Sequence, residues 1–107
     1  MITQRTKNIE IPVEKIANFC RRWKITELSL FGSVLRDDFR PDSDIDVLVT
    51  FAPDAQWGLF DLVHMRDEIK GILGREVELV EKRAIEQSDN PFRRKHILSH
   101  MEVVYVA

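Results

Sequence analysis

The chain has 107 residues, 44% of them apolar and 32% charged, with a formal net charge of −2 and one cysteine. Its length suits a single domain spanning residues 1–107 with its own core. The charge balance excludes the global basic field of nonspecific nucleic-acid binders, so direct nucleic-acid binding is not expected.

Cys20 alone allows no internal disulfide and suits a reducing, cytoplasmic setting. No apolar run reaches the ~20 residues of a membrane span, and the N-terminus lacks a signal-peptide pattern.

The first eight residues are polar and expected to fray. Pro12 opens a predicted helix, with Val13, Ile16, Phe19, Cys20 and Trp23 recurring at helical spacing. Glu27 to Phe31 reads as a strand, Leu28 and Leu30 on one face, ending at Gly32. Ser33 to Phe39 is expected as a short helix stopped by Arg40-Pro41. After the turn at Asp42-Ser43-Asp44, Ile45 to Phe51 is a strongly β-prone run.

Leu59, Leu62, Val63, Ile69, Ile72 and Leu73 form the stripe of a long helix, with Gly74 placed to end it. Arg75 to Val80 reads as a third strand. Asn90-Pro91 opens a last helix carrying Phe92, Ile97, Leu98 and Met101, and Val103 to Val106 reads as a closing strand. The alternation of helix and strand predicts an α/β fold, a sheet with packed helices. The short link between the first two strands allows an antiparallel pair.

The chemistry concentrates between Gly32 and Asp46. Asp44 and Asp46 stand two apart on a predicted strand, so their carboxylates share a face, roughly 7 Å apart along it. Two like charges on a packed strand are costly unless a cation compensates them, and paired hard oxygens suit Mg²⁺ held against substrate phosphates. Gly32 lets backbone approach a ligand closely, and the free N–H groups of the following turn, with the Ser33 hydroxyl, can take an anion. Each half alone is weak evidence; on adjacent strand ends, with Arg36 between, they are far more specific.

These residues resemble the signature of the nucleotidyltransferase superfamily that includes DNA polymerase β, in its smallest branch, the minimal nucleotidyltransferases (MNT). Gly-Ser, an arginine three residues on, then Ser-Asp-x-Asp before an apolar strand are matched by Gly32, Ser33, Arg36, Ser43, Asp44 and Asp46. Leu59-Phe60-Asp61-Leu62, Leu73 to Val80 and Asn90-Pro91-Phe92 also look like this branch, so the likeness covers nearly all of the chain after the first helix. It implies a nucleotidyltransferase fold with a small mixed β-sheet, and ATP as substrate with Mg²⁺ or Mn²⁺.

The resemblance also implies a third carboxylate on a neighbouring strand, usually an aspartate before Leu-Val; Glu78 holds that place, with Glu76 on the same face as a rival. Asp44, Asp46 and Glu78 are then the catalytic and metal residues, and Gly32, Ser33, Arg36 and Ser43 the nucleotide-binding ones. A second departure is Leu35-Arg36-Asp37, where the family usually has Ala-Arg-Gly.

Proteins of this kind are commonly the antitoxin half of HEPN–MNT toxin–antitoxin pairs, in which the MNT protein moves AMP onto a tyrosine of the HEPN ribonuclease (AMPylation). The chain is thus expected to be a protein adenylyltransferase in a hetero-oligomer with a HEPN toxin. The alternative is a catalytically weak or inactive ATP-binding antitoxin that neutralises its partner by binding. An aminoglycoside nucleotidyltransferase generally carries domain mass that this chain lacks.

Several residues also have plainer readings. Arg36 either contacts phosphate or pairs with the surrounding aspartates. Ser43 caps the turn before its strand. His64 belongs to a surface, with no second ligand at a zinc spacing. Trp23, Trp57 and Phe60 fit core or partner surface, and Arg93-Arg94-Lys95 fits a solvated helix face or a contact to ATP phosphates or an acidic partner.

Overall fold

The computed structural model describes residues 5–6 and 8–107. Four strands form one sheet: β1 (Ile25–Phe31), β2 (Ile45–Phe51), β3 (Val77–Glu81) and β4 (Met101–Val106), in the spatial order β3-β2-β1-β4. β1 runs antiparallel to both β2 and β4, whereas β2 and β3 are parallel. The sheet is therefore mixed, in the small α/β architecture expected, and the first two strands take the antiparallel option.

Alternation along β2 decides what lies on each side. Ile45, Val47 and Val49 point toward α1 (Val13–Arg22) and α2 (Leu59–Leu73), packing with Ile16, Phe19, Leu28, Leu30, Met65 and Ile69. The opposite face is smaller: Leu48 and Phe31 meet Ile85 of α3 (Lys82–Glu86) and Ile97 of α4 (Pro91–Ser99). Asp46 shares that smaller face, which exposes it to a groove instead of the main core.

Local signals explain the well-bounded elements. Gly74 takes a left-handed conformation, φ +70°, and its N–H donates to the Lys70 carbonyl, ending α2. The Asp61 carboxylate accepts from the Gly58 N–H at 2.9 Å at the start of the same helix. Asn90 Oδ1 accepts from the Arg93 N–H at 3.1 Å, and Pro91 follows it as the first residue of α4.

The structure departs from several expectations. Ser33 to Phe39 is not a helix: Gly32–Leu35 forms a single 3₁₀ turn, and Arg36 is already extended. The Val34 and Arg36 carbonyls are taken from far away in sequence by Asn8 Nδ2, which donates to them at 2.6 and 2.8 Å. Asn8 itself lies in the stretch expected to fray, as do Arg5, which bridges to Glu10, and the buried Thr6. The rest of that stretch, residues 1–4 and 7, lies outside the described residues.

α3 was not expected, since five residues with one buried side chain carry no readable period. β1 starts two residues earlier and β4 two residues earlier than expected, and β3 begins at Val77. Leu59 and Phe92, assigned to helix stripes, are 74% and 86% exposed. Trp23 and Trp57 do pack, edge to face at 5.2 Å between centroids. Among the described residues no helix is long and apolar enough to cross a membrane.

Candidate active site

Asp46 and Phe31 face one another in the antiparallel register of β2 and β1, so Gly32 leaves the sheet directly beside the Asp46 side chain. Gly32 has φ +75°, and a Cβ built on it would lie 2.1 Å from Asp46 Oδ2. Only glycine satisfies both conditions. The residue expected to bring backbone close to phosphate thus first brings it close to a carboxylate.

On the other flank, Asp46 is register partner to Glu78 in the parallel β2–β3 pair. The two carboxyls lie within reach of a hydrogen bond, which one of them must be protonated to donate, and the Asp46 carboxyl is pushed up from 3.8 to about 6. Burial is the main cause, followed by that hydrogen bond and by the negative charges of Glu78 and Asp44, with Arg36 pulling the other way. Glu76, the rival third carboxylate, is ion-paired with Lys70 at the end of α2, and its carbonyl accepts from the Ile45 N–H. Of the two glutamates, Glu78 is the one that meets Asp46.

Asp44 is exposed, just ahead of β2, and acts on Asp46 through its charge. Among the described residues no three histidine, cysteine or carboxylate side chains are gathered as a ready-made metal cage. The donor set nevertheless fits a hard divalent ion. Asp46 and Glu78 are oxygen ligands crowded together at a partly desolvated place, where a cation relieves their repulsion. Mg²⁺ usually takes one or two carboxylates and completes its shell with water and phosphate.

The pair opens into a cleft of about 750 Å³ whose walls include Gly32, Arg36, Asp46 and Glu78 on one side and Arg93, His96 and His100 on the other. That volume is in the range of small-molecule sites. Arg36 lines the cleft while its Nε donates to Asp38 at 3.1 Å, so its pairing with a nearby aspartate is seen. Asp37 is exposed and stands outside the lining. Ser33 is half-buried in the 3₁₀ turn beside Gly32.

Ser43 Oγ accepts from the Arg40 N–H at 3.0 Å, the capping role expected of it. Arg75 completes this turn: it donates to the Arg40 carbonyl at 2.9 Å and lies over the Phe39 ring at 4.4 Å.

Two supports were not read from the sequence, and a third only in part. Asn8 acts across 26 and 28 residues, with no local pattern to reveal it. Arg75 was taken as the start of a strand. Of the cleft wall at α4, Arg93 was read as one option for contacting ATP phosphates, while His100 was not singled out, although Arg93, His96, Ile97 and His100 recur at one-face helical intervals.

The family model for the nucleotidyltransferase domain matches residues 13–104. MntA of Thermococcus cleftensis, a protein adenylyltransferase, is 32% identical over 85 residues, covering 79% of this chain and 78% of that one. Among solved structures, a toxin–antitoxin complex with AMP-PNP has a chain of like fold, with TM-score 0.68, 19% identity, and 91% of this chain and 75% of that one covered. A second complex, a tri-AMPylated HEPN toxin of Shewanella oneidensis with its MNT antitoxin, gives TM-score 0.59 at 20% identity, over 88% of this chain and 69% of that one. At these identities the two structures speak for the fold, while the family model spans both halves of the cleft's carboxylate pair and most of the chain. The chain belongs to the nucleotidyltransferase domain family.

Proposed function

We propose that the protein moves AMP from ATP to a hydroxyl of a partner protein, acting as the antitoxin of a HEPN-type toxin in the cytoplasm, with residues 1–107 working as one domain. The observation that carries this reading is the Asp46–Glu78 carboxylate pair, wedged against Gly32 at the mouth of a nucleotide-sized cleft. The relatives add the substrate and the partner: one is named a protein adenylyltransferase, and one structural neighbour is the antitoxin bound to an AMPylated HEPN toxin. The acceptor proposed here is a tyrosine of such a toxin.

Asp46, with Asp44 from the strand's entry, would hold Mg²⁺ or Mn²⁺, and Glu78 would complete that set or take the acceptor's proton. When bound, the metal supplies charge neutralisation on the phosphates and acidifies the acceptor hydroxyl. Gly32 and Ser33 offer backbone N–H groups and a hydroxyl to phosphate, Arg36 adds positive charge, and Ser43 keeps the turn that aims Asp44 and Asp46.

The acceptor oxygen bonds to the α-phosphorus, the α–β anhydride bond breaks, and pyrophosphate leaves. The hydroxyl proton passes to the Glu78 carboxylate, exposed beside Asp46. Such a reaction needs chiefly positioning and charge placement, which few side chains can supply.

The exposed, separate position of Asp44 favours a second reading, an ATP-binding antitoxin that silences its partner without transfer. Incubation with the toxin, Mg²⁺ and ATP radiolabelled at the α-phosphate separates the two. Label on the toxin that vanishes with Asp44→Asn/Asp46→Asn supports the transferase. A silenced but unlabelled toxin supports the binding reading and ends the enzymatic one.

A further inference from the structure

We infer that Arg93 and His96 of α4, with His100 just after it, form the anion-binding wall that takes the polyphosphate tail of the incoming nucleoside triphosphate. This rests on the nucleotidyltransferase reading above and assigns the half of the cleft that the carboxylates do not use.

The cleft is electrically two-sided. Asp46, Glu78 and Glu102 line it from the sheet, Arg93 and His96 from α4, and His100 from the residue after that helix. A divalent ion at the carboxylates leaves part of a triphosphate's charge uncompensated, and that part must meet cations or hydrogen-bond donors. Arg36 is already engaged with Asp38 through Nε. The basic run of α4 divides sharply by role: Arg94 donates to the Ser88 carbonyl at 3.0 Å and Lys95 lies outside the cleft lining. Arg93 lines the cleft, and its guanidinium makes no ion pair with another described residue.

The two histidines are pre-arranged. Their rings stack with centroids 4.5 Å apart, 28° from parallel. His100 Nδ1 lies 2.8 Å from the His96 carbonyl, which can only accept, so Nδ1 donates to it, and Nε2 meets a phosphate oxygen as a donor only in the doubly protonated ring. A fixed ring costs less ordering on binding than a free one.

The test is calorimetric titration of MgATP and of AMP into the full-length protein, its Arg93→Ala variant and its His96→Gln/His100→Gln variant. Arg93 is exposed, so its replacement leaves the fold intact, as circular dichroism would confirm. Arg93→Ala is expected to weaken MgATP about tenfold or more, one charge-assisted contact, and AMP by less than about threefold. The histidine variant should show a smaller loss with the same bias toward ATP. Equal losses for ATP and AMP would mean that the wall holds base or sugar, and unchanged affinities would mean that it holds nothing; either overturns the inference. Wild-type protein that binds neither nucleotide would instead bring down the nucleotidyltransferase reading, and this inference with it.

Discussion

Asp46 leans on Gly32: the carboxylate occupies the space where any side chain at position 32 would begin, 2.1 Å from a Cβ's place. The loop thought to meet phosphate and the strand that carries the carboxylates are therefore one mechanical unit. Gly32→Ala imposes a left-handed conformation on a residue that resists it, a cost of about 1–3 kcal/mol, and drives the methyl into Asp46. Transfer activity should fall to background and the melting temperature should drop. Adding Asp46→Ala should recover part of the lost stability but no activity, a non-additivity that a double-mutant thermal cycle reads directly.

The Asp46 carboxyl stands at about 6 in the folded protein against an ordinary 3.8. A raised carboxyl pKa means that the folded state keeps a proton longer than the unfolded chain does. The stability this provides is fully present below the ordinary value and is lost as the pH rises through the folded one. Asp46→Asn, which cannot ionise, should therefore be more stable than wild type by a margin that grows between about pH 4 and about pH 6 and levels off above that. Millimolar Mg²⁺ should narrow that margin at the higher pH by stabilising wild type alone. Melts showing a pH-independent margin would contradict the assignment.

Asn8 holds the end of the 3₁₀ turn by donating to two carbonyls, those of Val34 and Arg36. Asn8→Ala leaves both without that donor, and a stability loss of about 1–2 kcal/mol follows. Hydrogen exchange should quicken at residues 33–36 more than in the sheet, and kcat should fall with the loosened turn. Asn8→Asp, which turns the donor into an acceptor facing two carbonyls, should do more damage than the alanine.

Cys20 is fully buried in the main core, and burial pushes its thiol up to about 12. A disulfide reagent at mildly alkaline pH should leave the native protein unmodified and label it only as fast as it unfolds. The labelling rate then gives an unfolding clock for every variant named above.

What could be read in advance follows the range of the interactions. β2 and α2 were bounded correctly because β-branched runs, helical stripes and a terminal glycine are written within the element itself. Gly32 and Asp46 were singled out for the same reason, as a local pattern, whereas Glu78 came only from the family resemblance. The choice between Glu78 and Glu76 was not readable, because alternation puts both on one face and only the parallel register with β2 selects Glu78. The missing helix after Ser33 coincides with the hold of Asn8 on that segment. A backbone carbonyl captured by a side chain from elsewhere has no signature in its own neighbourhood.

The position of β4 has a consequence for how the molecule is made. β1 lies in the middle of the sheet and its second edge is closed only by Met101–Val106, so a central ladder joins residues far apart in the order of synthesis. While the ribosome is still translating, the emerging chain carries an open strand edge and half a cleft, an association-prone species. A nascent protein of this topology completes its cleft only when Met101–Val106 closes the ladder beside β1.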